Sequence, residues 1–151
     1  MSIRPITPAD IPALFHVRPR TRENALTLDE LRALGITPES VATWLEGSTC
    51  GWLWQTPAGE VVGFCMAEKD AGELLVIALL PEYEGRGIGG QLMQHAESWL
   101  AQSGRTRAWL TTDIDPTLRA YGFYRHRGWT DWKIERGMRW MEITLPTDVE
   151  R

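Results

Sequence analysis

Seven consecutive apolar residues, Leu74-Leu75-Val76-Ile77-Ala78-Leu79-Leu80, lead into Pro81-Glu82-Tyr83-Glu84. The stretch Gly85-Arg86-Gly87-Ile88-Gly89-Gly90 follows, and an amphipathic pattern begins at once. A short apolar run without alternation predicts a strand covered on both faces. Ile88, Leu92, Ala96, Trp99 and Leu100 then fall on one stripe of a helix that Gly104 ends. This strand–turn–helix order builds an anion site from main chain. Glycine lets a ligand approach without a Cβ in the way. The helix start leaves N–H groups unpaired with partial positive charge behind them, which suits a phosphate or diphosphate. Arg86 adds a cation to the turn.

The turn literally matches G-x-G-x-x-G at Gly85, Gly87 and Gly90, with Asp113 about where a ribose-binding acid is expected, ~20 residues on. A nucleotide-binding oxidoreductase is therefore one reading. In that pattern the first glycine follows its strand closely and the motif opens the first βα unit. Here Pro81 to Glu84 intervene, roughly half the chain precedes the motif, and that half carries hairpin signals instead of βαβ.

The order strand, Pro81-Glu82-Tyr83, Gly85-Arg86-Gly87-Ile88-Gly89, helix resembles the acetyl-coenzyme A signature of the GNAT N-acetyltransferase superfamily. Ala120-Tyr121-Gly122-Phe123-Tyr124-Arg125-His126-Arg127-Gly128-Trp129 resembles that superfamily's later helix, which carries an aromatic-Tyr pair and ends at Gly-aromatic. Two motifs in the right order are more specific than either alone. The chain departs at Glu84, where the family usually has Gln or Arg, and at Thr117, where Asn is frequent.

The resemblance implies an α/β GNAT fold: a mixed, mostly antiparallel central sheet with one parallel strand pair, flanked by helices, as a single N-acetyltransferase domain over residues 1–151. It implies acetyl transfer from acetyl-coenzyme A, a cosubstrate, to a primary amine by direct attack on the thioester. Coenzyme A contacts are expected along the strand at Ile77, Ala78, Leu79 and Leu80, with the amide of Leu79 or Leu80 as oxyanion donor. Further contacts are expected at Glu84, Gly85, Arg86, Gly87, Ile88, Gly89 and Gly90, and at Thr117, Ala120 and Phe123. Tyr124 matches the tyrosine assigned as the acid facing sulfur. Glu73 stands where some members carry a catalytic glutamate, with Glu68, Asp70 and Glu23 as further candidates. Strict alternation places Glu73 on one face with Leu75, Ile77 and Leu79. The acceptor mouth is expected from Arg18, Arg20, Arg22, Glu23 and Asn24, with Trp52, Trp54, Trp129 or Trp132 as walls. An acyl-coenzyme A-binding module without catalysis is the alternative from another class; it would tolerate the loss of Tyr124.

Composition bounds the rest. At 151 residues, 43% hydrophobic and 24% charged, the chain suits one globular domain. A net charge of −4 argues against a nucleic-acid partner. No apolar run nears the ~20 residues that span a bilayer, and the N-terminus lacks a signal peptide's apolar core. A cytoplasmic location without a membrane partner is the expectation. His16, His95 and His126 show no ligand spacing, so no metal is expected. Cys50 and Cys65 read as small buried hydrophobes. A homodimer stays open.

Other elements follow from local signals. A strand is expected at residues 3–6, and helices starting at Thr7-Pro8, at Thr27 with Glu30 in capping-box spacing, and at Thr37-Pro38. Hairpins are expected at residues 50–56 with 61–68, and at 129–134 with 138–145, turned at Glu135-Arg136-Gly137. A strand at 108–112 and a helix at 117–127 complete the pattern.

Overall fold

The computed structural model describes residues 2–23 and 25–146. One seven-stranded sheet runs through it in the order β1-β2-β3-β4-β5-β7-β6. The strands are β1 (Ser2–Pro5), β2 (Thr49–Gln55), β3 (Val61–Glu68), β4 (Glu73–Leu79), β5 (Arg107–Asp113), β6 (Thr130–Glu135) and β7 (Met138–Thr144). Every neighbouring pair is antiparallel except β4 and β5. Five helices flank the sheet: α1 (Ile11–Val17), α2 (Leu28–Ala33), α3 (Pro38–Glu46), α4 (Ile88–Gln102) and α5 (Arg119–His126). This is the mixed α/β architecture expected from the sequence. The doubly wound parallel sheet that a dinucleotide-binding oxidoreductase requires is not formed.

Local chemistry sets most element ends. The Thr27 hydroxyl accepts from the Glu30 amide at 3.1 Å, and the Glu30 carboxylate accepts from the Thr27 amide at 2.8 Å. Thr37 and Ser40 make the same reciprocal pair at the start of α3. Arg136 and Gly137 both have positive φ, +54° and +75°, the pairing that a tight turn between right-twisted strands needs. Near the N-terminus a short 3-10 turn, Pro8–Asp10, precedes α1. The Asp10 carboxylate accepts from the Thr7 amide at 2.8 Å and takes both ends of the Arg4 guanidinium at 2.8 Å each.

That fork holds the Asp10 carboxyl at about 2, with the Arg4 hydrogen bond as the leading cause. A lowered carboxyl pKa stabilises the fold above the unfolded value near 4, and that contribution is lost as pH falls towards 2. Asp10→Asn is expected to cost about 1–2 kcal/mol at pH 7. Urea midpoints of the variant should converge on the wild type by pH 2; a constant gap from pH 7 to pH 2 would refute this role.

The core lies on both faces of the sheet's first half. Helix α1 buries Ile11, Leu14 and Val17 and packs on β3, and α3 packs on β2. Helix α4 buries Ile88, Leu92, Met93, Ala96 and Leu100 over β2, β3 and β4. Cys65 is fully buried and its thiol donates to the Leu92 carbonyl; Cys50 is half-buried on the neighbouring strand, and both thiols are free.

Residues 74–80 correct the expectation of a strand covered on both faces. Leu74, Ala78 and Leu80 are buried, but Leu75 is 38% exposed and Val76, Ile77 and Leu79 are partly exposed. The ladder on the other side of β4 is short: β5 registers with β4 only at Glu73 opposite Trp109, supported by a bond from the Trp109 amide to the Gly72 carbonyl at 3.0 Å. Beyond that pair the ladder stops, and the far end of β4 faces a gap.

Candidate active site

Strand β4 also carries an irregularity that re-aims its side chains. Ala67 pairs with Leu74 and Met66 with Val76, so Leu75 is an extra residue on β4. A bulge of this kind shifts the alternation by one. Glu73, opposite Glu68, therefore shares its face with Val76 and Ala78, not with Ile77 and Leu79 as strict alternation had placed it. Trp109, registered with Glu73 across the parallel pair, lies on the same face. Burial raises the Glu73 carboxyl above the ordinary range, and the neighbouring Glu68 charge adds to this.

The main chain of β4 divides between two edges. The Leu80 amide donates to the Val62 carbonyl at 2.9 Å, so it belongs to the β3 side. By alternation the Ala78 amide points the same way, and the amides of Ile77 and Leu79 point into the gap. Of the two expected oxyanion donors, Leu80 is thus engaged elsewhere. An unpaired strand edge of this kind can take an extended chain by main-chain hydrogen bonds.

The glycine turn stands at the mouth of the gap. Gly85 and Gly87 have φ of +76° and +81°, a conformation open to glycine and strained for other residues. Gly87 is the N-cap of α4, and no side chain caps that helix. Its first turn holds no acidic residue. The first amides of α4 therefore point outward without a side-chain acceptor, as an anion site requires. Ile88 contributes only main chain, because its side chain is buried. Gly89 and Gly90 serve packing as well: a Cβ on Gly89 would meet the Phe123 ring at 3.4 Å and Ile77 Cδ1 at 3.9 Å, and one on Gly90 would meet Arg127 at 3.4 Å. Arg86 is exposed, its guanidinium 5.0 Å from the Tyr83 ring centre.

Helix α5 brings the second motif to the same place. Phe123 and Ile77 both approach Gly89 at the start of α4. Tyr124 is 7% exposed, packed edge-on against Phe123 at 5.5 Å and tilted against Trp129 at 6.3 Å. Burial pushes its hydroxyl up to about 12; the Arg18 charge opposes that shift and the Cys65 thiol adds to it. Cys65 is the direct cross-strand partner of Ile77.

A profile of the acetyltransferase (GNAT) family matches residues 15–129. The chain belongs to that family. The matched span includes the glycine turn, the β4–β5 gap and Tyr124. An amino-acid acetyltransferase of Pseudomonas putida is 35% identical over 71 residues, which is 47% of this chain and 15% of that protein; the chain thus spans a small part of that relative's length. Among solved structures, PaiA N-acetyltransferase of Thermoplasma acidophilum in complex with coenzyme A superposes with a TM-score of 0.80 at 19% identity, covering 95% of this chain and 99% of that one. The ribosomal-protein-S18-alanine N-acetyltransferase of Escherichia coli gives 0.76 at 18% identity, covering 97% and 94%. These two likenesses are of fold.

The positions where this GNAT chain departs from the family pattern have their own partners. Glu84 Oε1 is 2.9 Å from Arg22 Nε and 3.6 Å from Arg119 Nε. The Thr117 hydroxyl and amide both donate to Asp115, at 2.7 and 2.9 Å. Ala120 is half-buried, and its amide donates to Glu23 at 3.4 Å. Glu23 also accepts from the Arg119 amide at 2.9 Å, so it caps α5 and is engaged as a candidate base. Glu68 accepts from Ser48 and from the Asp70 and Ala71 amides; these bonds outweigh its burial and lower its carboxyl, which makes it a weaker base than Glu73.

The acceptor-side expectations divide. Trp52, Trp54 and Trp129 are buried in the core, and Trp52 also lines a cavity beside His95 and Trp99 of α4. Trp129 donates to Glu97 at 3.0 Å beside the Arg127–Glu97 ion pair, joining α5 to α4. Trp132 is 40% exposed. Arg20 caps α1 by donating to the His16 carbonyl at 2.6 Å. Asn24 lies outside the described residues. Sequence reasoning missed Trp109 and Trp140, stacked at 4.9 Å on the Glu73 face, with Trp132 edge-on to Trp140 at 5.6 Å. Their joint face comes from strand register, which composition does not reveal.

Proposed function

We propose that the chain is an acetyl-coenzyme A-dependent N-acetyltransferase acting on a primary amine. The observation that carries this is the uncapped start of α4, behind a left-handed glycine turn, at the mouth of the β4–β5 gap with Tyr124 alongside. The amides of residues 85–90 would hold the diphosphate of the donor, and the Ile77 and Leu79 edge its pantetheine arm. With the Leu80 amide bonded to the Val62 carbonyl, the Leu79 amide is the better oxyanion donor.

In the reaction the amine nitrogen bonds to the carbonyl carbon, the C–S bond breaks and its electron pair goes to sulfur. The ammonium proton must leave first, and Glu73 is the candidate acceptor. Glu73 and Leu79 stand six positions apart on β4, roughly 20 Å along the strand, so the proton travels through water. Tyr124 donates a hydrogen bond to the departing sulfur. With a thiol near 8.5 and Tyr124 at about 12, full proton transfer from the phenol would be uphill by about 5 kcal/mol.

Glu73→Gln is expected to lower kcat by ~10- to 100-fold and to remove the acidic limb of the kcat/KM profile. In the wild type that limb lies above the ordinary carboxylate range, because the base works only when ionised. An acidic limb that survives the substitution would place the base elsewhere.

Release of thiol from acetyl-coenzyme A, screened over amines, tests the function as a whole. The panel includes free amino acids, because of the 35% identical amino-acid acetyltransferase, and N-terminal alanine peptides. Tight coenzyme A binding with no turnover on any amine would favour the non-catalytic module.

A further inference from the structure

Resting on the donor site proposed above, we infer that Arg22 and Arg119 are donor-binding residues and that Glu84 positions them. A carboxylate at the entrance to a diphosphate turn should repel its ligand. Here it does not stand alone. Its Oε1 meets the Nε of Arg22 at 2.9 Å and the Nε of Arg119 at 3.6 Å, so three side chains carry a net charge of +1 beside the turn. Each guanidinium has five N–H donors in a fixed fork. The contacts to Glu84 are made through Nε, and each guanidinium carries its Nη donors besides. Glu84 is 16% exposed, and the arginines are 58% and 56% exposed, as a held anion under two reaching cations requires.

The anchorage is double. Glu23, next to Arg22, caps α5 through the amides of Arg119 and Ala120. The segment between α1 and α2 is therefore fastened to the glycine turn by Arg22 and to the second motif by Glu23. Where the family pattern has Gln or Arg, glutamate here holds two arginines from other parts of the chain beside the turn.

Calorimetry with coenzyme A on the full chain tests this without knowledge of the acceptor. Arg22→Ala is expected to weaken binding ~3- to 10-fold and to flatten its salt dependence, with Arg22→Lys recovering part of the loss. Arg119→Ala should behave alike, since the amide that Glu23 caps is retained. Glu84→Gln should bind no tighter than wild type, and in that background the Arg22→Ala effect should shrink to less than about twofold. Wild-type affinity in Arg22→Ala and Arg119→Ala would overturn the inference, as would tighter binding by Glu84→Gln. If the wild type itself bound no coenzyme A, the donor site would fall instead, which is a separate result.

Discussion

Gly87→Glu is expected to lower coenzyme A affinity by at least about 100-fold in a protein that still folds. Gly87 has φ +81°, and a Cβ built there meets nothing within 4 Å. The folding cost is thus conformational, roughly 1–2 kcal/mol for a left-handed residue. The binding cost is larger. A carboxylate at the N-cap would take the amides that the diphosphate needs and add a repelling charge. Loss of two charge-assisted hydrogen bonds at about 1.5–3 kcal/mol each already accounts for 100-fold or more. Gly87→Ala separates the two costs, since it carries the backbone strain without the charge. Calorimetry with coenzyme A, beside thermal unfolding, reads both. A folded Gly87→Glu protein with unchanged affinity would remove the turn from the donor site and the proposed activity with it.

Tyr124→Phe is expected to reduce kcat by ~10²-fold while coenzyme A affinity stays near normal. The ring is packed between Phe123 and Trp129 and remains so in phenylalanine. Only the hydroxyl is removed, and its role falls at sulfur departure. Because burial pushes that hydroxyl up to about 12, it acts as a neutral donor throughout the accessible pH range. The wild-type profile should therefore show no alkaline limb from Tyr124 below about pH 11, and the variant should be slower by a constant factor across pH. Equal losses in kcat and in coenzyme A affinity would mean that Tyr124 only packs; an unchanged kcat would remove it from the mechanism.

The glycine turn and the helix behind it were legible in the chain because their parts are local. A turn that needs left-handed residues shows as Gly85 and Gly87, and both have positive φ. The helix behind it shows as a stripe from Ile88 to Leu100, and α4 is that helix. The capping boxes at Thr27 and Thr37 involve residues three apart. Thr7 and Pro8 open the first helical segment as the local pattern indicated, as a 3-10 turn that continues into α1.

What was misread involved registers and long-range partners. Strict alternation failed at β4, where one extra residue, Leu75, reverses the side on which Glu73 falls. Leu80 looked equivalent to Leu79 until the Val62 carbonyl was found on its amide. The tryptophans could not be sorted by type: Trp129 is fully buried and Trp132 is 40% exposed, although three positions apart.

By itself, the sequence determined the order of elements, the glycine turn with its helix, and the pairing of that turn with a later Phe-Tyr helix. Each of these is encoded by neighbours a few residues apart, whose sterics and hydrogen bonds act within the segment. Tertiary structure alone decided which β4 amides face the gap, that Leu75 is an extra residue in the β3–β4 ladder, and that Glu84 holds Arg22 from 62 positions away. Those facts depend on strand register and on contacts closed only when the sheet assembles, and no local pattern carries them.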